Sequence, residues 1–153
     1  MLKRYTFWLW LAVVFLSLTG LIHSIGLFIG PFPANETERQ MFDLMMNFKQ
    51  DLGAGFHKSI WNLFTALSSC FTFLCFLGGL NIAYLLKKKV ALDILKGIVR
   101  IHLLVFAVCF VVMVIFTFLP PIVLTGLIVL FLAIGLFTIP NDDAAAQLQN
   151  RER

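Results

Sequence analysis

Four long runs of apolar residues constrain the fold of this chain more than any other feature of its sequence. The runs cover residues 5–29, 59–86, 101–119 and 122–139, and none of them contains Asp, Glu, Lys or Arg. An α-helix rises about 1.5 Å per residue, so helices of these lengths reach roughly 27–42 Å. The hydrocarbon core of a bilayer is about 30 Å thick. The sequence therefore predicts four transmembrane helices.

The overall composition agrees with a membrane location. Apolar residues make up 60% of the chain and charged residues 13%, whereas soluble domains have about 45–50% and about 25%. Such a chain has too few polar side chains to cover a water-facing surface, so lipid has to cover it. The predicted fold class is all-α, with residues 1–140 forming a bundle of four transmembrane helices and residues 141–153 a polar cytoplasmic tail.

The first apolar run begins behind Lys3 and Arg4, as the apolar part of a signal peptide would. A signal peptide, however, has an apolar stretch of only about 7–15 residues, followed by an A-x-A-like cleavage site. The run over 5–29 is longer and no such site follows it. The sequence therefore predicts that this segment is retained as a membrane helix.

Only Pro120 and Pro121 separate the third run from the fourth. A single helix over 101–139 would reach about 58 Å, almost twice the thickness of the hydrocarbon core. The two runs must therefore form a hairpin of two helices. Pro121 is compatible with the start of the second helix, where a missing N–H costs little.

Residues 34–58 form the only long polar stretch between two runs. Two residue pairs in it have the spacing of a helix N-cap and its reciprocal partner, namely Asn35 with Glu38 and Thr37 with Gln40. Either pair predicts that a helix begins here, shortly after the first transmembrane segment.

The same stretch has an apolar face at helical spacing. Its members recur at i, i+4, i+7 and i+11, and they are Met41, Met45, Phe48 and Leu52. This pattern predicts an amphipathic helix of about four turns that is closed by Gly53 and Gly55. We expect the helix to lie along the outer membrane interface or over the mouth of the bundle.

Lysine and arginine placement predicts the orientation of the chain. Nine of these residues lie in the N-terminal tail, the 87–100 loop and the C-terminal tail, against three on the other side. The positive-inside rule then places both termini in the cytoplasm. The net charge of +4 does not indicate nucleic-acid binding, because the basic residues lie at the ends of apolar runs rather than on one stripe.

The apolar runs offer few groups for chemistry. A carboxylate inside a membrane helix marks an ion or proton pathway, so its absence disfavours carboxylate-driven antiport, although histidine can also relay protons. Cys70, Cys75 and Cys109 lie within apolar runs and have no C-x-x-C spacing. The sequence therefore predicts neither a disulfide framework nor a zinc site.

The remaining polar residues lie near the predicted outer ends of the first two helices. The second helix carries a row at helical spacing, formed by Asn62, Thr65, Ser69 and Thr72. Such a row faces other helices rather than lipid, and hydrogen bonding between helices is the favoured interpretation. The alternative is the wall of a small polar cavity that opens outward. Its candidate residues are His23, His57, Trp61, Asn62, Thr65 and Ser69.

A cofactor is a further hypothesis for the same region. His23 and His57 could ligate one haem near the outer face, as in four-helix membrane cytochromes. A second haem would need a pair at the inner face, where His102 is the only histidine. Hydrogen bonding and an interfacial position are the favoured interpretation of both histidines, so the sequence predicts no metal site and identifies no cofactor.

The first half of the chain resembles a family of small bacterial four-helix integral membrane proteins of uncharacterised function. The resemblance lies in a small-x-x-His element, a Met-bearing outer segment and the start and middle of the second helix: Gly20, His23, Met41, Met45, Met46, Ser59, Trp61, Phe64, Ser68, Gly79 and Asn81. More distantly, the chain is similar to the DoxX-like four-helix proteins, some of which are linked to respiratory or redox complexes. The resemblance implies the architecture and a bacterial inner membrane, and it supplies no catalytic residues.

These observations favour a non-enzymatic accessory or interaction subunit that is embedded in the lipid bilayer. A membrane-protein partner and a homo-oligomer both fit this hypothesis, because the third and fourth helices are almost wholly apolar. The alternatives are a binding or transport protein for a small, largely apolar solute and a redox subunit that uses haem or quinone.

Overall fold

The structure, a computed structural model, describes residues 3–30 and 32–140. Within these residues it contains five α-helices and one β-hairpin. The elements in chain order are α1 (Lys3–Ile29), α2 (Glu36–Asn47), β1 (Lys49–Asp51), β2 (His57–Ser59), α3 (Ile60–Lys88), α4 (Leu92–Phe116) and α5 (Leu119–Thr138). The predicted polar tail, 141–153, lies outside the described residues.

Four of the helices correspond to the predicted membrane segments. α1, α3, α4 and α5 are each long and apolar enough to cross a bilayer, with mean hydropathies of 2.1, 1.8, 2.8 and 2.5 in their most apolar windows. The predicted helical character is therefore confirmed, as is the prediction of four helices long and apolar enough to span a membrane. Most large apolar side chains on these helices are at least partly exposed, as expected where lipid is the surrounding solvent.

α4 begins earlier than the apolar run from which it was predicted. The predicted loop over 87–100 is mostly helical, and only residues 89–91 connect α3 to α4. The reason is that Leu95, Val99 and Phe106 are all buried at helical spacing. This buried face continues through the segment that contains Lys96 and Arg100, so charged residues there do not end the helix.

The predicted hairpin of the last two helices is present. α4 ends at Phe116, α5 begins at Leu119, and the two helices pack against each other. Both prolines lie in the first turn of α5. The first turn of a helix tolerates proline because its N–H groups have no partner within the helix.

The amphipathic helix is shorter than predicted. α2 ends at Asn47, and the backbone of Phe48 is already extended. Residues 49–51 and 57–59 then pair as antiparallel strands, so the prediction of one helix as far as Gly53 was wrong.

Backbone geometry at the hairpin tip explains this difference. Gly53, Ala54 and Gly55 all have positive φ angles, of 83°, 52° and 81°. The Gly53 N–H also donates to the Asp51 carboxylate at 2.9 Å, which forms an Asx turn. The glycines therefore belong to a turn between strands and do not close a helix.

The chain divides into two compact units, and α1 and α3 contribute residues to both. The first unit contains residues 3–19 and 75–140 of the described chain. The second contains residues 20–30 and 32–74, including α2 and the β-hairpin.

In the first unit, glycines bring helices close to large side chains. A Cβ atom on Gly135 of α5 would lie 2.6 Å from Leu9 Cδ2 of α1. A Cβ atom on Gly78 of α3 would lie 3.1 Å from the Phe106 ring of α4. Small residues at contacts of this kind are typical of membrane helices, whose association depends on close packing.

Candidate functional site

In the second unit, His23 joins the end of α1 to α3. This histidine of α1 is half-buried, and its Nε2 donates a hydrogen bond to the backbone carbonyl of Ser68 in α3 at 3.1 Å. The imidazole also meets the Phe71 ring edge-on, with 5.3 Å between centroids and an interplanar angle of 85°. His23 therefore serves as a hydrogen-bonded bridge between helices, which is the packing role favoured for it from the sequence.

The bridge has a consequence for Thr72. Serine and threonine in helices commonly donate to the carbonyl one turn earlier, as Ser69 does to Thr65 at 2.7 Å. The corresponding carbonyl for Thr72 is that of Ser68, which already accepts from His23. The Thr72 hydroxyl is buried and has no hydrogen-bond partner within the described residues.

Thr65 carries a second hydroxyl of this kind. Its Oγ1 atom is also buried without a partner among the described residues. Thr65 and Thr72 are seven residues apart and therefore lie on one face of α3. An unpartnered buried hydroxyl costs about 1–3 kcal/mol, so this face contains two donors that a polar atom of a ligand or partner could satisfy.

Asn62 has a different role from the one predicted for a cavity wall. The Ser59 hydroxyl donates to Asn62 Oδ1 at 2.9 Å, and the Asn62 N–H donates to the Ser59 oxygen at 3.2 Å. The Ser59 N–H also donates to Asn62 Oδ1 at 3.2 Å. This is a capping box at the start of α3. Its buried member, Ser59, was not among the predicted site residues. Its spacing of three residues from Asn62 is nevertheless that of a helix N-cap and its reciprocal partner.

His57 and Trp61 lie apart from the helical row. His57 is exposed on β2, opposite Asp51 of β1, and not at the start of a helix as predicted. In the described part of the chain no hydrogen bond joins it to another predicted site residue. Trp61 is half-buried in the first turn of α3, with its ring 5.5 Å from that of Phe64.

His23 and His57 are not arranged as a pair of haem ligands. A ligand pair would have to direct one nitrogen of each ring at a single iron. His23 Nε2 is directed at a backbone carbonyl, and His57 lies on a strand of the hairpin. The described residues also contain no group of three or more His, Cys, Asp or Glu side chains that could hold a metal ion.

α2 presents a second candidate surface. Its N-terminus is capped by Asn35, whose Oδ1 accepts the Glu38 N–H at 2.9 Å, while Glu38 accepts the Ala34 N–H at 2.7 Å. This confirms the first of the two predicted capping pairs. No residue of α2 is buried. Three apolar side chains at i, i+3 and i+7 are exposed, two on α2 and the third at its C-cap. They are here called the α2 strip: Met41, Leu44 and Phe48.

The polar face of α2 is mainly acidic. Glu36, Glu38 and Asp43 lie on the helix with a single basic residue, Arg39. Arg39 is held by Glu36 in a salt bridge of 2.7 Å. The helix therefore combines an exposed apolar strip with an excess of negative charge.

Comparison with known proteins gives this chain no relative. It matches no protein-family model, no curated protein and no solved structure. We therefore infer the function from two surfaces, namely the face of α3 that carries Thr65 and Thr72 and the α2 strip.

Proposed function

We propose that this protein is a non-enzymatic accessory subunit of a membrane complex and that the α2 strip binds a partner membrane protein. The observation that carries the proposal is the exposure of Met41 and Leu44 on α2 and of Phe48 at its C-cap, outside the four segments long and apolar enough to span a membrane. Apolar residues at this spacing are the anchors of an amphipathic helix that binds in a groove. Methionine suits such a surface because its side chain adapts to the partner.

The charge of α2 favours a protein over the membrane surface as the partner. Interfacial helices that bind anionic lipid carry lysine and arginine on their polar face. The polar face of α2 carries three acids and one base, so an anionic lipid surface would repel it. A groove with basic residues at its rim would attract it.

The polar groups of the second unit support a structural role. His23 Nε2 bridges α1 to α3, and the side chains of Ser59 and Asn62 cap α3. These contacts join α1 to α3 and cap α3, on either side of the segment that contains α2 and the hairpin. They also engage the His23 imidazole and the Ser59 hydroxyl, groups that an enzyme would need for proton transfer or binding.

We further propose that both termini lie in the cytoplasm of a bacterial cell and that α2 lies outside the inner membrane. The distribution of lysine and arginine supports this orientation, and the resemblance to small bacterial four-helix proteins supports the membrane. Alkaline phosphatase fused after Arg153 should be inactive, whereas insertion of the enzyme in the 53–55 turn should give activity. The reverse pattern would contradict the orientation.

Native mass spectrometry of protein released gently from its own membrane tests the subunit role. Leu44→Glu and Arg39→Gln each make the charge of α2 more negative by one unit, but only the first alters the α2 strip, because Arg39 lies on the opposite face of the helix. We expect the wild type and Arg39→Gln to retain a second polypeptide and Leu44→Glu to lose it. Retention by Leu44→Glu, or the absence of a second polypeptide from the wild type, would refute the proposal. An added mass equal to this chain would indicate a homo-oligomer.

The hydroxyls of Thr65 and Thr72 favour a second candidate function, the binding or transport of a small, largely apolar solute. The two residues lie about 10 Å apart along α3, so each unpartnered hydroxyl would suit an acceptor of its own, such as a carbonyl oxygen. A quinone belongs to this class. A small tightly held mass in the wild type that is absent from Thr72→Val would support this function.

A further inference from the structure

The first unit contains a cavity at the C-terminal end of α3, where Lys87 and Lys88 end the helix and Lys89 follows it. Its volume is about 430 Å³ and it is open on one side, within the range of about 300–1,000 Å³ that is usual for small-molecule sites. The first turn of α1, the last turn of α3 and the first turn of α4 surround it. We call it the lysine cavity, and the residues used below are Tyr5, Thr6, Leu86, Lys89, Ala91 and Leu92.

We propose that the lysine cavity binds the head group of an anionic phospholipid. The proposal is independent of the partner proposed for α2. It requires only that the spanning helices cross a bilayer, because their ends then lie at the depth of the lipid head groups.

The lining suits an amphiphile. Leu86, Leu92 and their apolar neighbours form much of the wall, while Lys89 and the hydroxyl-bearing residues Tyr5 and Thr6 supply polarity. A lysine and hydroxyl donors bind a phosphate, and the apolar wall suits the adjoining apolar part of a lipid. A soluble phosphate compound would leave that wall unused.

The charge around the cavity is complementary to an anionic lipid. Residues 87–100 contain five basic residues and one acid, Asp93. Asp93 is exposed and does not line the cavity. Basic pockets at the ends of membrane helices are known sites for anionic head groups.

The N-terminus of α4 adds backbone N–H donors to the lysine cavity. Ala91 occupies the N-cap position, and no side chain caps the helix. Ala91 and Leu92 both line the cavity. The free N–H groups of a first helical turn attract an anion, and this attraction adds to that of Lys89.

The backbone of Lys89 makes the proposal testable apart from folding. Lys89 has φ +50°, a left-handed conformation that favours glycine. Its N–H donates to the Leu86 carbonyl at 3.3 Å, and the Val90 N–H donates to the Leu85 carbonyl at 3.4 Å. These two bonds form a Schellman motif, in which the residue at this position is usually glycine. Replacing Lys89 by glycine therefore relieves strain while it removes the cation.

The test measures lipid binding by native mass spectrometry in detergent micelles that contain palmitoyl-oleoyl phosphatidylglycerol or palmitoyl-oleoyl phosphatidylcholine. We expect wild-type protein to retain the anionic lipid preferentially. Lys89→Gln should weaken this binding by about tenfold or more, as for a lost charge-assisted hydrogen bond. Lys87→Gln is the matched control, because Lys87 does not line the cavity, and it should lower binding by about fivefold at most. Lys88 is less suitable, since its ammonium group lies over the Tyr84 ring.

Two further variants separate binding from stability. Lys89→Gly relieves backbone strain, and Ala91→Asp caps α4. Both should raise the thermal unfolding temperature of the lipid-free protein while they lower retention of phosphatidylglycerol. Equal retention of the two lipids, equal losses in Lys87→Gln and Lys89→Gln, or full retention by Lys89→Gly would overturn the proposal. Equal binding of soluble glycerol phosphate would overturn the assignment to a lipid.

Discussion

Replacement of Thr72 by valine should stabilise the protein, although the substitution removes a polar group from a helix interface. The Thr72 side chain is buried and its hydroxyl has no partner within the described residues. Valine has nearly the same shape and no hydroxyl to desolvate. Because an unpartnered buried hydroxyl costs about 1–3 kcal/mol, we expect Thr72→Val to raise the free energy of unfolding by about 1–2 kcal/mol.

Thr19→Val is the matched control. Thr19 is also buried, but its hydroxyl donates to the Phe15 carbonyl at 2.7 Å. Removing a hydrogen bond that is made, here one within α1, should cost about 0.5–1.5 kcal/mol. The two substitutions are chemically identical, yet we expect effects of opposite sign. Reversible unfolding in mixed micelles with increasing sodium dodecyl sulfate measures both.

A double-mutant cycle with His23→Phe tests the cause. Phenylalanine keeps a ring against Phe71 but cannot donate to the Ser68 carbonyl. That oxygen then becomes available to the Thr72 hydroxyl one turn later, so Thr72→Val should become destabilising in this background. The expected coupling is about 1.5–2.5 kcal/mol. A stabilising effect of equal size in both backgrounds, or a destabilising effect in the wild type, would refute the reasoning.

Three other predictions concern the close contact between Gly135 and Leu9 and the N-terminal caps of α3 and α2. Gly135→Ala should destabilise the protein by about 1–3 kcal/mol through overpacking against Leu9, and Leu9→Ala should reduce this cost when the two are combined. Ser59→Ala should cost about 0.5–2 kcal/mol because α3 loses its cap, whereas His57→Ala, on the exposed hairpin, should leave the unfolding midpoint unchanged. Asn35→Ala should increase amide hydrogen exchange in the first turn of α2 without changing exchange in α4; unchanged exchange in α2 would show that the cap does not hold the helix.

The spanning helices were predictable because an apolar run of sufficient length is a local property of the sequence. The start of α4 was not, since the charges of Lys96 and Arg100 indicate a loop there. Burial of Leu95 and Val99 at helical spacing, which is visible only once α4 is packed, determines the structure.

The hairpin shows how a periodic pattern can extend too far. Met41, Met45, Phe48 and Leu52 share a helical period, but α2 ends before the last two. Instead of a fourth helical turn, residues 53–55 form a tight turn with three consecutive positive φ angles, and the residues on either side of it pair as strands. Two glycines on either side of one residue are typical of a tight turn as well as of a helix end, and here they form the turn.

The candidate site was predictable only in part. The sequence identified His23, Thr65 and Ser69 as polar residues of the helix interface. It could not identify the acceptor for His23, because that acceptor is a backbone carbonyl and every residue has one. Asn62 continued the polar row by spacing, but its position in the first turn makes it a cap. The unpartnered state of Thr72 is visible only once both helices are in place.

Photo-crosslinking in intact membranes tests the central claim, that the α2 strip binds another protein. The photoreactive residue benzoylphenylalanine replaces Leu44 in one variant and Arg39, on the polar face of α2, in the other. We predict one discrete adduct between the Leu44 variant and a different polypeptide, and no such adduct for the Arg39 variant. Adducts to lipid alone at position 44, or equal adducts at both positions, would contradict it.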